Sequence, residues 1–171
     1  MTSVGRNAFN AAKAIQAEVD VQLGPPEVGR RSDKQLVIPF SVVRGTRGYI
    51  ESVVNQINGC YENGWNDAAA VMIRRLLETL IIETFEHHKI AAKIQNSAGD
   101  FFYLRDLIGR CLKETAWNLT RNCKSAMPRL KDVGDKSAHS RRYNAHRGDI
   151  APLAGDLRLV VQELIYLAGL K

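Results

Sequence analysis

Cysteine is scarce in this sequence. Cys60, Cys111 and Cys123 are the three present, an odd number with no CxxC pair. That argues against a disulfide framework and a zinc ribbon, and it suits a reducing, cytoplasmic setting in which each thiol is a small buried hydrophobe. Long apolar runs are missing as well. The best, AAAVMIRRLLETLII, is broken by Arg74, Arg75 and Glu78, so no transmembrane helix and no membrane partner are expected. The opening MTSVGRNAFNAAK lacks an apolar run of signal-peptide length. There is no glycine-rich phosphate loop, internal repeat or low-complexity segment. No Ser-His-Asp or Cys-His arrangement stands close together in the chain, although a triad need not be local in sequence.

Charge of one sign, by contrast, is gathered in one place. The chain of 171 residues carries 24 basic and 18 acidic side chains. The stretch Arg121 to Arg147, RNCKSAMPRLKDVGDKSAHSRRYNAHR, holds eight of the basic ones and only Asp132 and Asp135 against them, which is the whole surplus of six. A local excess favours a site over a general solubility device, and it points to an anionic partner, most simply nucleic acid. The length suits one domain able to bury a core without covalent staples.

Hydrophobic spacing predicts an all-α protein, an up-and-down bundle of five to six helices. Residues 5–23 read as a first helix with a narrow stripe of Phe9, Ala12, Ile15 and Val19. Gly24-Pro25-Pro26 stops it, and 24–35 reads as a linker. Leu36 to Val43, interrupted by Pro39, reads as an extended segment on the core, since no partner strand is visible. Residues 1–44 thus form an N-terminal helix and extended linker packed on a bundle made by 45–171. Within the bundle, helices are expected over about 45–61, 66–87, 100–113, 120–134 and 149–169, with 91–98 a loop or short turn. Asn63-Gly64 closes the first of these, because both residues tolerate positive φ. Asn66 is a candidate cap for the second, with Asp67 in its first turn where the helix dipole favours an anion. Its wide apolar stripe predicts a central helix covered on several sides. Arg74 and Arg75 are both spaced to pair with Glu78. His87 and His88 suit its C-terminal dipole better than a metal site. Pro128 predicts a kink or break near Met127.

The chemistry sits in GDKSAHSRRYNAHR. Asp135 and His139 are four apart; on one helix the carboxylate stands a turn before the imidazole, where it would fix a tautomer for proton transfer. Lys131 would share that face. Arg141 and Arg142 offer forked donors for phosphate oxygens, with Lys136 and Arg147 flanking them. Tyr143 offers a ring for a base to stack on, and Asn144 a polar reader beside it. Histidine, arginine, lysine and tyrosine without a carboxylate cluster is the inventory of metal-free RNA cleavage, in which the ribose 2′-OH attacks and cations hold the phosphorane charge. The bland alternatives are a structural His139 bonded to a backbone carbonyl, an Asp135 that merely pairs with Lys131 or Lys136, and arginines on a solvated face. A metal site from His139 and His146 is disfavoured: on a helix they lie two turns apart, roughly 10 Å, with no third ligand. No cofactor or metal is expected.

At these residues the chain resembles the HEPN superfamily (higher eukaryotes and prokaryotes nucleotide-binding). The resemblance rests on NGWNDAAAVMIRRLLETLI, followed about sixty residues later by LKDVGDKSAHS and a closing apolar helix. It is nearest to a branch of uncharacterised bacterial domains with an R-x-x-L-E helix, here Arg74-Arg75-Leu76-Leu77-Glu78, and a G-N-x-A-A-H motif, here Gly134-Asp135-Lys136-Ser137-Ala138-His139. It spans roughly residues 45–170. It implies a helical bundle, often a homodimer, and in many relatives a metal-independent ribonuclease of toxin–antitoxin, abortive-infection or CRISPR defence systems. There four to six residues separate an arginine from the catalytic histidine that follows it, and two protomers join their motifs in a composite cleft. Arg141 to His146 fits that spacing, with Arg142 where active members carry Asn, Asp or His. Upstream of His139 the basic residue is Lys131, with seven residues between them. The resulting expectation is an RNA-directed protein, a candidate metal-independent endoribonuclease with His139, His146, Arg141 and Asp135 as catalytic candidates. The alternative is a non-catalytic dimerisation or adaptor module that binds nucleotide, nucleic acid or a partner protein encoded next door.

Overall fold

The computed structural model describes residues 3–22 and 36–171, with side-chain surroundings for 5–7, 9–15 and 36–171. Seven α-helical segments occur among them: α1 (Ser3–Gln22), α2 (Gly48–Glu62), α3 (Asn66–His87), α4 (Leu104–Lys113), α5 (Arg121–His139), the single turn α6 (Arg147–Ile150) and α7 (Ala154–Leu167). Short 3-10 turns stand at Phe40–Val42, Ala91–Ile94 and Ala151–Leu153. The expected linker 24–35 lies outside the described residues. The described side chains of α1, Phe9 and Ile15 among them, are exposed.

Helix α3 is central for the reason its sequence suggests. Its buried residues, from Ala69 through Leu76, Leu77, Leu80 and Ile81 to Phe85, cover far more than one stripe. It packs chiefly against α2 and α5, and also meets α4 and α7. Named contacts give the directions. Gly134 of α5 lies against Ala70 and Arg74 of α3, while Trp117, just before α5, meets Phe85 near the far end of α3 with ring centroids 4.9 Å apart. The two helices therefore run antiparallel. Arg129 pairs with Asp156 at 2.9 Å, and Thr120 binds Glu163 through its backbone N–H at 2.6 Å and its hydroxyl at 2.8 Å. Helix α7 is thus antiparallel to α5, and α2, α3, α5 and α7 alternate up and down. Val37 and Ile38 are buried against this bundle, and Asn58 of α2 clamps Ile38 on both backbone groups, at 3.1 and 2.8 Å.

The turn between α2 and α3 follows its sequence closely. Gly64 takes φ 77, and the Trp65 N–H reaches back to the Cys60 carbonyl at 2.8 Å. This is the closure that a left-handed glycine after a helix provides.

Three local expectations are corrected. Asn66 is the first residue of α3 and not its cap; its Nδ2 donates to the Gly64 carbonyl at 3.1 Å. Of the kink or break expected near Met127, the break is absent, and α5 continues past Gly134 to His139. Pro128 is exposed, while Cys123, Ala126, Met127, Leu130 and Gly134 keep the buried stripe intact around it, so packing outweighs the lost backbone bond. The segment from Asp100 to Tyr103 precedes α4 and is not helical; Gln95 and Phe101 form an isolated bridge there.

Candidate functional site at one end of the bundle

The C-terminal end of α5, the loop 140–146 and the turn α6 meet the α2–α3 turn at one end of the bundle. Two contacts fix the loop. Asp67, in the first turn of α3, accepts the Ala145 N–H at 2.9 Å. Arg147 lays its guanidinium over the Tyr61 ring, 4.5 Å from the centroid, and its Nε donates to the Tyr61 hydroxyl at 3.1 Å. Asp149 then reaches back to accept the His146 backbone N–H at 2.8 Å, closing the first turn of α6.

Gly134 allows α5 to approach this closely. A Cβ built there would lie 2.6 Å from the Arg74 Cβ and 2.9 Å from the Ala70 carbonyl oxygen. The close crossing brings Arg74 onto Asp135: Arg74 Nε donates to Oδ1 at 2.8 Å, and Lys131 Nζ donates to Oδ2 at 2.6 Å. Burial pushes the Asp135 carboxyl up, but the two cations outweigh it and hold it below the usual carboxylate range. The same bond to Asp135 raises the Lys131 ammonium above its ordinary value.

This geometry redistributes the expected roles. Asp135 stands one turn before His139, but its oxygens bond Arg74 and Lys131, and no hydrogen bond joins it to the imidazole. Lys131 is the structural partner of Asp135, and Arg147 is stacked on Tyr61. Tyr143 is half-buried; burial first, then its bond to the Asp149 carboxylate, raises its hydroxyl pKa. It is not an open stacking ring. His139 ends α5 and His146 precedes α6, so the helical spacing assumed for a metal pair does not apply. Among the described residues no group of three or more His, Cys, Asp or Glu is arranged to hold a metal ion. No described helix is long and apolar enough to cross a membrane.

The exposed members are Lys136, His139, Arg141, Arg142, Asn144, His146 and Arg147, the last of these stacked on Tyr61. Lys136 and His146 both lie within electrostatic reach of Asp149, whose carboxyl is held below the usual range mainly by the His146 N–H. Arg74, Asp67 and Tyr61, which build this end, were not read as site residues in the sequence. Arg74 was visible in the R-x-x-L-E motif, but its i+4 partner Glu78, at a loose 3.7 Å, hid the tighter bond to Asp135. Neither a family model, nor a curated protein, nor a solved structure matches the chain.

Proposed function

We propose that this chain is an RNA-directed protein whose contact surface is the end of α5 with the loop that follows. One observation supports this reading above the others. Arg141, Arg142 and His139 are exposed and have no side-chain partner among the described residues, while the neighbouring Asp135 is already neutralised by Arg74 and Lys131. Cationic donors that the fold does not use remain available to phosphate oxygens. The loop that presents the two arginines is anchored through Asp67 and Arg147, so less order must be bought on binding.

A second reading, the metal-independent endoribonuclease, draws on the two exposed imidazoles that flank this loop. One would take the proton of a ribose 2′-OH as O2′ bonds to phosphorus. The other would protonate the departing O5′, leaving a 2′,3′-cyclic phosphate and a 5′-hydroxyl. Asp135 makes no hydrogen bond to His139, so the binding reading stands first. A copy of the same surface on a second protomer, as the HEPN resemblance implies, would bring further histidines to the cleft.

The test is incubation of the protein with total RNA in EDTA, alongside equilibrium binding. Salt-sensitive binding lost in Arg141→Ala/Arg142→Ala supports the proposal, and wild-type affinity in that variant contradicts it. Cyclic-phosphate ends that disappear in His139→Ala/His146→Ala add the catalytic reading; cleavage that survives the double variant removes it.

A further inference from the structure

At the opposite end of α3, helix α4 borders an open groove of about 490 Å³ lined by Phe102, Arg105, Asp106, Gly109, Arg110 and Lys113. Arg105, Gly109 and Lys113 are spaced by four, as are Asp106 and Arg110, so the groove runs along the helix axis. It continues into a second hollow of about 180 Å³ that shares Arg110 and Lys113 and reaches Phe85, Lys93 and Glu114.

Three features of this groove go beyond what folding needs. The first is Gly109. It sits in the interior of α4, where glycine is unfavourable, yet a Cβ there would meet nothing within 4 Å. No neighbour occupies the space that a side chain would take, so the groove lies open beside it. The second is Arg110. Its guanidinium lies over the Phe102 ring, 4.4 Å from the centroid, and Nη1 donates to the Lys93 carbonyl at 2.6 Å. It is a flat cation fixed in advance. The third is unspent charge. Lys113 is exposed with no side-chain partner among the described residues. Arg105 is 82% exposed and pairs with Asp106 only at 3.6 Å. In the larger hollow three cations stand beside one carboxylate, and the second hollow adds the Lys93–Glu114 pair.

We infer that the α4 groove is a second RNA-contact surface, which holds a single-stranded segment along α4. A base stacks on the Arg110–Phe102 platform, and Arg105 and Lys113 meet the flanking phosphates. A planar cation on a ring, with mobile cations a helical turn to either side, matches the alternation of base and phosphate better than it matches an acidic peptide. The inference rests on the RNA reading above and extends it to a site that the concentration of charge in the sequence does not mark.

The experiment is fluorescence anisotropy with a short labelled oligouridylate, over a range of salt, on the full chain. Gly109→Trp puts a bulky ring into the groove from a position whose Cβ meets nothing within 4 Å, and it should weaken binding about tenfold. Lys113→Ala should lower the slope of log affinity against log salt by about 0.7. Circular dichroism melts verify that each variant is folded, and Lys113→Ala, on the surface, keeps the test open should Gly109→Trp fold poorly. Unchanged affinity in both variants overturns the inference. So does competition by polyglutamate as effective as that by unlabelled oligouridylate, since the groove would then be reading charge alone. Loss of binding in Arg141→Ala/Arg142→Ala with both α4 variants unaffected refutes this inference and leaves the proposed function standing. The converse pattern refutes the α5 surface and leaves the α4 groove. A wild-type chain that binds no RNA refutes both.

Discussion

The two ends of helix α3 carry cations for different purposes, and two glycines mark the difference. At the α5 end, Gly134 is where two helices touch, and a methyl group has nowhere to go. Lys131, Arg74 and Arg147 there are engaged by Asp135 and Tyr61. At the α4 end, Gly109 faces open space, and Arg105 and Lys113 are left to solvent. A basic stretch in a sequence is therefore not a count of available charge. Part of it is consumed in building the platform, and a modest set on one helix face can offer as much as a long cationic run.

The sharpest way to break that comparison is to add one methyl group at each glycine. Gly134→Ala should destabilise the chain by about 3 kcal/mol, because the new Cβ meets the Ala70 carbonyl and the stem of Arg74. A denaturant melt measures this, and a wild-type midpoint would show that α3 and α5 do not cross so closely. Asp135→Ala comes next, at about 1–2 kcal/mol, since it leaves Arg74 and Lys131 facing each other without their carboxylate. The cluster is partly open to solvent, which limits the loss.

That same variant should show a defined pH window. The depressed Asp135 pKa contributes stability above the ordinary carboxylate value of about 4, lost as pH falls through the folded-state value. The raised Lys131 pKa contributes stability below the ordinary lysine value of about 10, lost as pH rises through its folded-state value. The gap between wild type and Asp135→Ala should be flat between these limits and shrink beyond each. A gap that instead changed around neutral pH would implicate His139 in the cluster, contrary to the geometry.

Smaller effects sharpen the contrast. Gly109→Ala should stabilise the chain by up to about 1 kcal/mol, the cost of glycine in a helix interior. Opposite signs at the two glycines are the expected signature, and a loss of stability at both would mean that the α4 groove is filled by the fold. Asp67→Ala should leave the melt nearly unchanged but speed hydrogen exchange at the Ala145 amide, which loses its acceptor. Equal protection in both proteins would place the loop anchor elsewhere.

Much of the architecture was legible because amphipathic spacing reports burial directly. The stripe of α3 and the Asn63-Gly64 stop led to the right elements. Pro128 does not break the helix because propensity is local, while the buried face that carries α5 through it is set by α3 and α7. The site was legible only in outline. Arg121 to Arg147 stands out by charge, but the residue that bonds Asp135 from another helix is Arg74, sixty-one residues away, and no spacing rule joins them. The α4 groove escaped notice because its defining feature is an unfilled volume beside a glycine, which composition does not encode.

Photocrosslinking of the full chain to a 4-thiouridine oligonucleotide, with the modified peptides identified by mass spectrometry, tests the central claim most directly. Adducts should concentrate in two segments, 136–147 and 102–113, and each should fade when the cations of its own segment are removed. Adducts spread evenly over α2 and α7, or none at all under conditions where the chain is folded, would contradict an RNA-directed surface built on the two ends of α3.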